Sequence, residues 1–172
     1  MKVDNAIIMA AGLSSRFGGE HKGFIEINGE TLIERQIRQL REAGINEIII
    51  VVGHQKERFK NLKDVILVEN PDYKTDNNLS SIRAARNYIH NSYICSSDNY
   101  FIDNPFSSEE PESYYSVTKT YGLTKEWCVY GNPINKVIIG GENRLVMMGH
   151  SFWDEAFTKK FLELMDKEYN KN

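Results

Sequence analysis

A chain of 172 residues lies in the range of one domain rather than two. With 41% hydrophobic and 26% charged residues, a mean hydropathy of -0.48 and no apolar run near the ~18–20 residues of a membrane span, the composition excludes wholesale disorder and membrane crossing. The 21 basic and 24 acidic side chains leave a net charge of -3, too balanced for the basic surface a nucleic-acid binder needs, which leaves a small charged ligand open. Ala6 to Ala10 is a short apolar run ending before Gly12, which predicts a strand buried on both faces. Thr31 and Glu34 have capping-box spacing, Leu32, Ile33, Ile37 and Leu40 recur at helical spacing, and Gly44 stands where a left-handed cap is wanted. Ile48 to Val52 is a second buried strand, Val65 to Val68 a third, Leu79 to Ile89 a helix capped by Asn78, and Tyr93 to Cys95 a strand that stops at Ser96-Ser97-Asp98.

Repeated strand-helix-strand units predict a parallel sheet with helices on both faces, a Rossmann-like α/β/α arrangement. After Asp103 the pattern changes to short strand-like runs at Tyr114 to Lys119, Trp127 to Tyr130, Lys136 to Ile139 and Leu145 to Met148, which read as an antiparallel β extension. The last element, Asp154 to about Tyr169, puts Phe157, Phe161, Leu164 and Met165 on one helical stripe with Asp154 as its cap. No repeat, low-complexity tract or linker divides the chain, so the expectation is a single domain over residues 1–172. Cys95 and Cys128 lack metal-ligand spacing and lie in apolar stretches, and Met1-Lys2 leads straight into a strand instead of a secretory segment. Both features point to a reducing, cytoplasmic setting.

The turn leaving the first strand, Ala10-Ala11-Gly12-Leu13-Ser14-Ser15-Arg16 and on to Lys22, has the composition of a phosphate cradle. Small residues let backbone N–H groups approach an anion, Ser14 and Ser15 donate further, and Arg16 and Lys22 bring positive charge. The set suits a triphosphate. It lacks the Gly-Lys-Ser/Thr ending of a Walker loop and the G-x-G-x-x-G dinucleotide fingerprint. Read without further support, the same residues also suit a tight turn with a serine cap and solvated bases. Asp98 stands at the carboxyl end of a strand, facing the same crevice as the glycine turn, with an Asx turn as the plain structural alternative.

Ala10 to Arg16 followed by Lys22 resembles the signature of nucleotidyltransferases that couple a nucleoside triphosphate to a phosphorylated small molecule, with His21 in place of the usual proline. Asn77-Asn78-Leu79-Ser80-Ser81, Ser97-Asp98-Asn99-Tyr100, Glu126 to Gly131 and Ser151-Phe152-Trp153-Asp154 occur in the order and approximate spacing of the bacterial CTP:phosphocholine cytidylyltransferases, a resemblance that runs through nearly the whole chain. It implies the nucleotide-diphospho-sugar transferase type of fold and Mg²⁺-dependent joining of CTP and phosphocholine to give CDP-choline and pyrophosphate. It implies that Ala10, Ala11, Gly12, Leu13 and Ser14 grip the nucleotide, with Asn77, Asn78, Ser80 and Ser81 at base or phosphates. Arg16 and Lys22 would neutralise the leaving phosphates and Asp98 would hold the metal. A quaternary ammonium has no N–H to donate and is recognised by aromatic faces, for which Trp127, Tyr130, Trp153 and Tyr100, with Glu126 nearby, are the candidates. His54 suits either the base pocket or the surface, and His150 gives no signal of its own. The relatives usually continue past this point with a second metal-binding aspartate. Up to Asn172 no residue maps onto it, and Ser96 stands where a close relative has a further acid, so the domain reads as C-terminally shortened. The competing expectations are another acceptor, such as a sugar 1-phosphate or aminoethylphosphonate, and a domain that binds nucleotide without turning it over. The sequence leaves the oligomeric state open.

Overall fold

The opening apolar run forms strand β1 (Asn5–Ala10) in the computed structural model, which describes residues 1–13, 18–76, 78–131 and 134–169. Its side chains divide between two layers: Ala6, Ile8 and Ala10 lie in one apolar cluster, and Ile7 lies in the other with Ala11. A small hairpin of β2 (Glu26–Ile27) and β3 (Glu30–Thr31) leads into α1 (Leu32–Glu42). The capping box is made: Glu34 N–H donates to Thr31 Oγ1 at 3.3 Å, and Thr31 N–H donates to the Glu34 carboxylate at 3.1 Å. The helix ends at Gly44, whose φ of 83° is open to glycine at no steric cost. Ile33, Ile37 and Leu40 of α1 pack with Phe59 on the sheet face that carries Ile8.

Strands β4 (Ile48–Val52) and β5 (Ile66–Glu69) follow, then α2 (Asn78–Ala85) and β6 (Ser92–Ser96). These strands run parallel in the order β5-β4-β1-β6. The chain thus steps outward from β1 to β4 and β5, then returns across the sheet to lay β6 on the other side of β1. That reversal opens a crevice outside the carboxyl ends of β1 and β6, where open α/β sheets bind their ligands. The helix expected over Leu79 to Ile89 is α-helical to Ala85 and tightens to a 3-10 turn over Arg86–Tyr88, which carries Ile89 into the core. Asn78 is the first helical residue and not the cap.

The later strands, β7 (Tyr114–Lys119), β8 (Leu123–Tyr130), β9 (Lys136–Glu142) and β10 (Leu145–Trp153), continue the same sheet. β10 runs antiparallel to β6, β7 and β8, and β8 pairs with β9. Asp154 caps α3 (Glu155–Tyr169), its Oδ1 accepting from Phe157 N–H at 2.7 Å. The expected stripe on α3 is narrower than its spacing predicts: Met165 is buried and Phe161 packs on the core, whereas Leu164 is 53% exposed. Helices α2 and α3 cover the face opposite α1, completing three layers.

Candidate active site

The crevice is lined by Ala11 and Gly12 from the turn after β1, His21 and Lys22 from the turn that follows, Asn78 and Ser81 from α2, and Ser96, Ser97 and Asp98 from the end of β6. Lys22 Nζ lies 3.2 Å from Asp98 Oδ2, each side chain about two-fifths exposed. A pair this open to water contributes little to stability, so its importance is where it puts charge. Two further recesses join the crevice at Asn78. One is lined by Gly12, Leu13, Asn70, Tyr73, Lys74, Asp76 and Ser81. The other extends past Asp98 and is lined by Tyr115, Glu126, Trp127, Val137, Met147, Met148 and Gly149.

Backbone and buried polar groups hold these walls in place. Ser97 N–H donates to the Met9 carbonyl at 3.2 Å, fastening the Asp98 loop to β1. His54 N–H donates to the Ala11 carbonyl at 3.3 Å. A Cβ on Gly53 would stand 2.6 Å from Tyr73 Cγ and 2.9 Å from the Ala11 carbonyl oxygen, so glycine here is what lets Tyr73 close over the end of β4. Among the described residues nothing approaches the position of a Cβ on Gly12 within 4 Å, and Gly12 lines the crevice. Asn70 Nδ2 donates to Ser80 Oγ at 2.8 Å and Ser81 Oγ at 3.2 Å, anchoring the first turn of α2. At the far wall, β10 changes register between Met147 and Ser151, and Gly149 at φ 66° lets that bulge touch Ser96, where a Cβ would come within 2.4 Å of its hydroxyl.

Several expected site residues are brought together here: Ala11, Gly12, Lys22, Asn78 and Asp98 in the crevice, Leu13 in the first recess and Trp127, 53% exposed, in the second. Ala10 is buried and contributes its carbonyl to His21 instead of to the cavity. Ser14, Arg16 and Asn77 lie outside the described residues.

Four expectations are corrected. Ser80 is buried against Asn70, and its neighbour Ser81 takes the crevice wall. Tyr100 turns toward α1, its ring lying 4.6 Å beneath the Arg35 guanidinium. Tyr130 falls on the opposite face of β8 from Trp127, because side chains alternate across a strand, and its hydroxyl donates to the Gly140 carbonyl at 3.2 Å. Trp153 is 8% exposed, pairs with Ser92 at the opposite end of β6 from Asp98, and packs on Phe157 and Phe161 of α3. His54 faces Gly19, its Nε2 3.3 Å from that carbonyl.

Tyr115, Met147 and Met148 carry no local mark of a binding role, since only the antiparallel pairing of β10 with β6, β7 and β8 brings them to Asp98. Asn70 and Tyr73 likewise read as ordinary turn residues. The Gly53-Tyr73 approach is invisible in the sequence apart from the glycine that ends the strand.

The chain matches the MobA-like NTP transferase domain over residues 6–109. It is 37% identical to the choline-phosphate cytidylyltransferase of Streptococcus pneumoniae over 95% of this chain and 76% of that protein. It is 34% identical to the 2-aminoethylphosphonate cytidylyltransferase of Lancefieldella rimae over 96% of this chain and 73% of that protein. The solved structure of the CTP:phosphocholine cytidylyltransferase of Streptococcus pneumoniae superposes with a TM-score of 0.91 at 36% identity, covering 99% of this chain and 79% of that one.

Proposed function

The chain belongs to the MobA-like NTP transferase family, and from that premise we propose that it joins CTP and phosphocholine to give CDP-choline and pyrophosphate. The observation that carries the acceptor is the recess beyond Asp98, walled by Trp127, Tyr115, Met147 and Met148, with Glu126 also in its lining. Aromatic faces, polarisable thioethers and one negative charge are what attract a trimethylammonium group, which offers no hydrogen-bond donor. Because that recess opens onto the crevice at Asp98, an ammonium seated there would point its phosphate toward the triphosphate site. The nucleotide would lie along Ala11 and Gly12 with its base end in the Asn70-Tyr73 recess.

A phosphomonoester carries ~1.5–2 negative charges at neutral pH and is itself the nucleophile, so the protein needs no serine, cysteine or histidine to activate it. Its work is to hold two anions in line and to disperse charge on the departing pyrophosphate. Lys22 supplies positive charge at the crevice, the turn after β1 supplies backbone donors, and Arg16 is assigned to the leaving phosphates from its place in the motif. Among the described residues no group of three or more His, Cys, Asp or Glu side chains gathers to cage a metal unaided. The single crevice carboxylate among them, Asp98, fits Mg²⁺, which is commonly held by one or two carboxylates together with phosphate oxygens and water. Asp98 would hold it, and bound there it would neutralise charge on the phosphates. The reducing, cytoplasmic setting is supported by Cys95 and Cys128 being buried and unpaired.

Pyrophosphate release with CTP, Mg²⁺ and a panel of acceptors tests the proposal. Phosphocholine should turn over with the highest kcat/KM. A preference for 2-aminoethylphosphonate, the substrate named for the Lancefieldella rimae relative, would move the assignment to a primary ammonium paired with Glu126. CTP raising the melting temperature with no acceptor reacting would leave a binding domain.

A further inference from the structure

The crevice wall contains an imidazole to which the chemistry above gives no task. His21 is 3% exposed, and both ring nitrogens are engaged: Nε2 lies 2.7 Å from the Ala10 carbonyl oxygen and Nδ1 lies 3.1 Å from the Gly23 amide nitrogen. A peptide N–H only donates, so Nδ1 is the acceptor and the ring proton sits on Nε2, which donates to Ala10. Phe24 and Phe59 meet the ring edge-on at centroid distances of 5.7 and 5.0 Å and hold its plane. A Cβ on Gly23 would come within 3.2 Å of Nδ1 and 3.4 Å of Ser97 Cβ, so the lysine turn is seated between this ring and the loop that presents Asp98. Ala10 is the residue from which the cradle leaves β1, and Gly23 follows Lys22 directly.

We infer, resting on the function proposed above, that His21 is a positioning residue for nucleotidyl transfer: its two nitrogens tie the lysine turn to the end of β1 and so set where Lys22 meets the phosphates and Asp98. The ring acts as a fixed donor and acceptor, not as a carrier of protons. A proton on Nδ1 would set N–H against N–H and undo the Gly23 bond. Burial lowers the imidazole pKa below its usual 6.5, the Ala10 bond opposes that shift, Arg58 and His54 reinforce it, and Asp98 opposes it. The neutral form is therefore in place at neutral pH and is lost as pH falls through the folded-state value.

The test compares His21→Leu, which fills the space without donor or acceptor, with His21→Gln, whose amide presents both. His21→Leu is expected to lower kcat roughly 10- to 100-fold, the scale of a misplaced catalytic group, with the phosphocholine KM little changed. His21→Gln is expected to recover most of the loss and to remove the acid limb that the ring contributes to the kcat profile. A folded His21→Leu protein with wild-type kcat, or a folded His21→Gln protein as slow as His21→Leu, would overturn the inference. Should His21→Leu not fold, ¹⁵N shifts of the wild-type ring and hydrogen exchange at the Gly23 amide decide. A ring protonated on Nδ1, or an unprotected Gly23 amide, overturns the clamp whether or not the chain turns over CTP. Wild-type protein that releases no pyrophosphate removes the functional reading and this role with it, and is told apart from a failed clamp by an intact tautomer and a protected Gly23.

Discussion

Lys22 and Asp98 stand 76 positions apart in the chain, yet the fold brings them to 3.2 Å at the mouth of one crevice. In this arrangement the ammonium lies against the carboxylate that would hold the proposed cation, so the two charges offset one another at the crevice. Asp98→Asn keeps the shape and removes the charge. It is expected to abolish pyrophosphate release while leaving the thermal midpoint nearly unmoved, because an exposed ion pair contributes only ~0–1 kcal/mol. Retained turnover in that variant would take Asp98 out of the mechanism. Trp127 is half exposed in its recess, so Trp127→Ala should cost little stability. The variant should raise the phosphocholine KM by about tenfold or more, since a desolvated cation–π contact contributes ~2 kcal/mol or more. The CTP KM should hold, and an equal rise in both constants would assign the ring to packing. The crevice positions of Gly12, Lys22 and Asp98 are legible in the sequence because glycine, small residues and charges at strand ends act through local backbone geometry. Trp127 and Trp153 were not separable, because an aromatic residue in a strand-like run looks alike whether it faces a cavity or a helix.

At the scale of elements, the parts whose chemistry is local formed where the sequence placed them. The capping box of α1, the left-handed Gly44 and the Asp154 cap of α3 all follow from side chains reaching their own backbone within a turn. The bulge in β10 is of another kind. Gly149 sits at φ 66°, its carbonyl accepts from Asn99 Nδ2 at 3.2 Å, and the absence of a side chain lets β10 lie against Ser96. Gly149→Ala meets both a disfavoured backbone region and the Ser96 hydroxyl, so a loss of at least about 1–2 kcal/mol is expected by chemical denaturation. Since Gly149 and Ser96 also line the recess proposed for the acceptor, the phosphocholine KM should rise in the same variant. A variant as stable as wild type with an unchanged KM would show that the bulge adjusts without consequence. In the sequence Gly149 marks only the end of a strand expected to stop at Met148, because a bulge exists only relative to the strands it pairs with.

Considered whole, the molecule has a buried titratable group behind its site. His150 is enclosed by Tyr93, Phe101 and Phe106, with Tyr114 Oη 3.4 Å from Nε2, and burial holds its pKa down to about 4 from 6.5. The unfolded chain takes up this proton near 6.5 while the folded chain does so only near 4, so the unfolded state binds more protons between them. The resulting stability is fully present above that window and is lost as pH falls through it, on the order of 3 kcal/mol for this group. His150→Phe removes the titration, so the stability difference from wild type should shift in the variant's favour on acidification; parallel curves would dismiss the assignment. The sequence by itself determined the α/β class, the order of the first strands and helices, and the strand-end positions of Gly12 and Asp98 that line the crevice. Each depends on the spacing of apolar residues or on contacts within a few positions. Only the tertiary structure decided that β10 lies beside β6, that Trp127 and not Trp153 or Tyr130 faces the crevice, and that His21 links two segments of the site. Strand neighbour, register and facing are settled by packing between distant parts of the chain, where a shift of one residue exchanges the buried side for the open one.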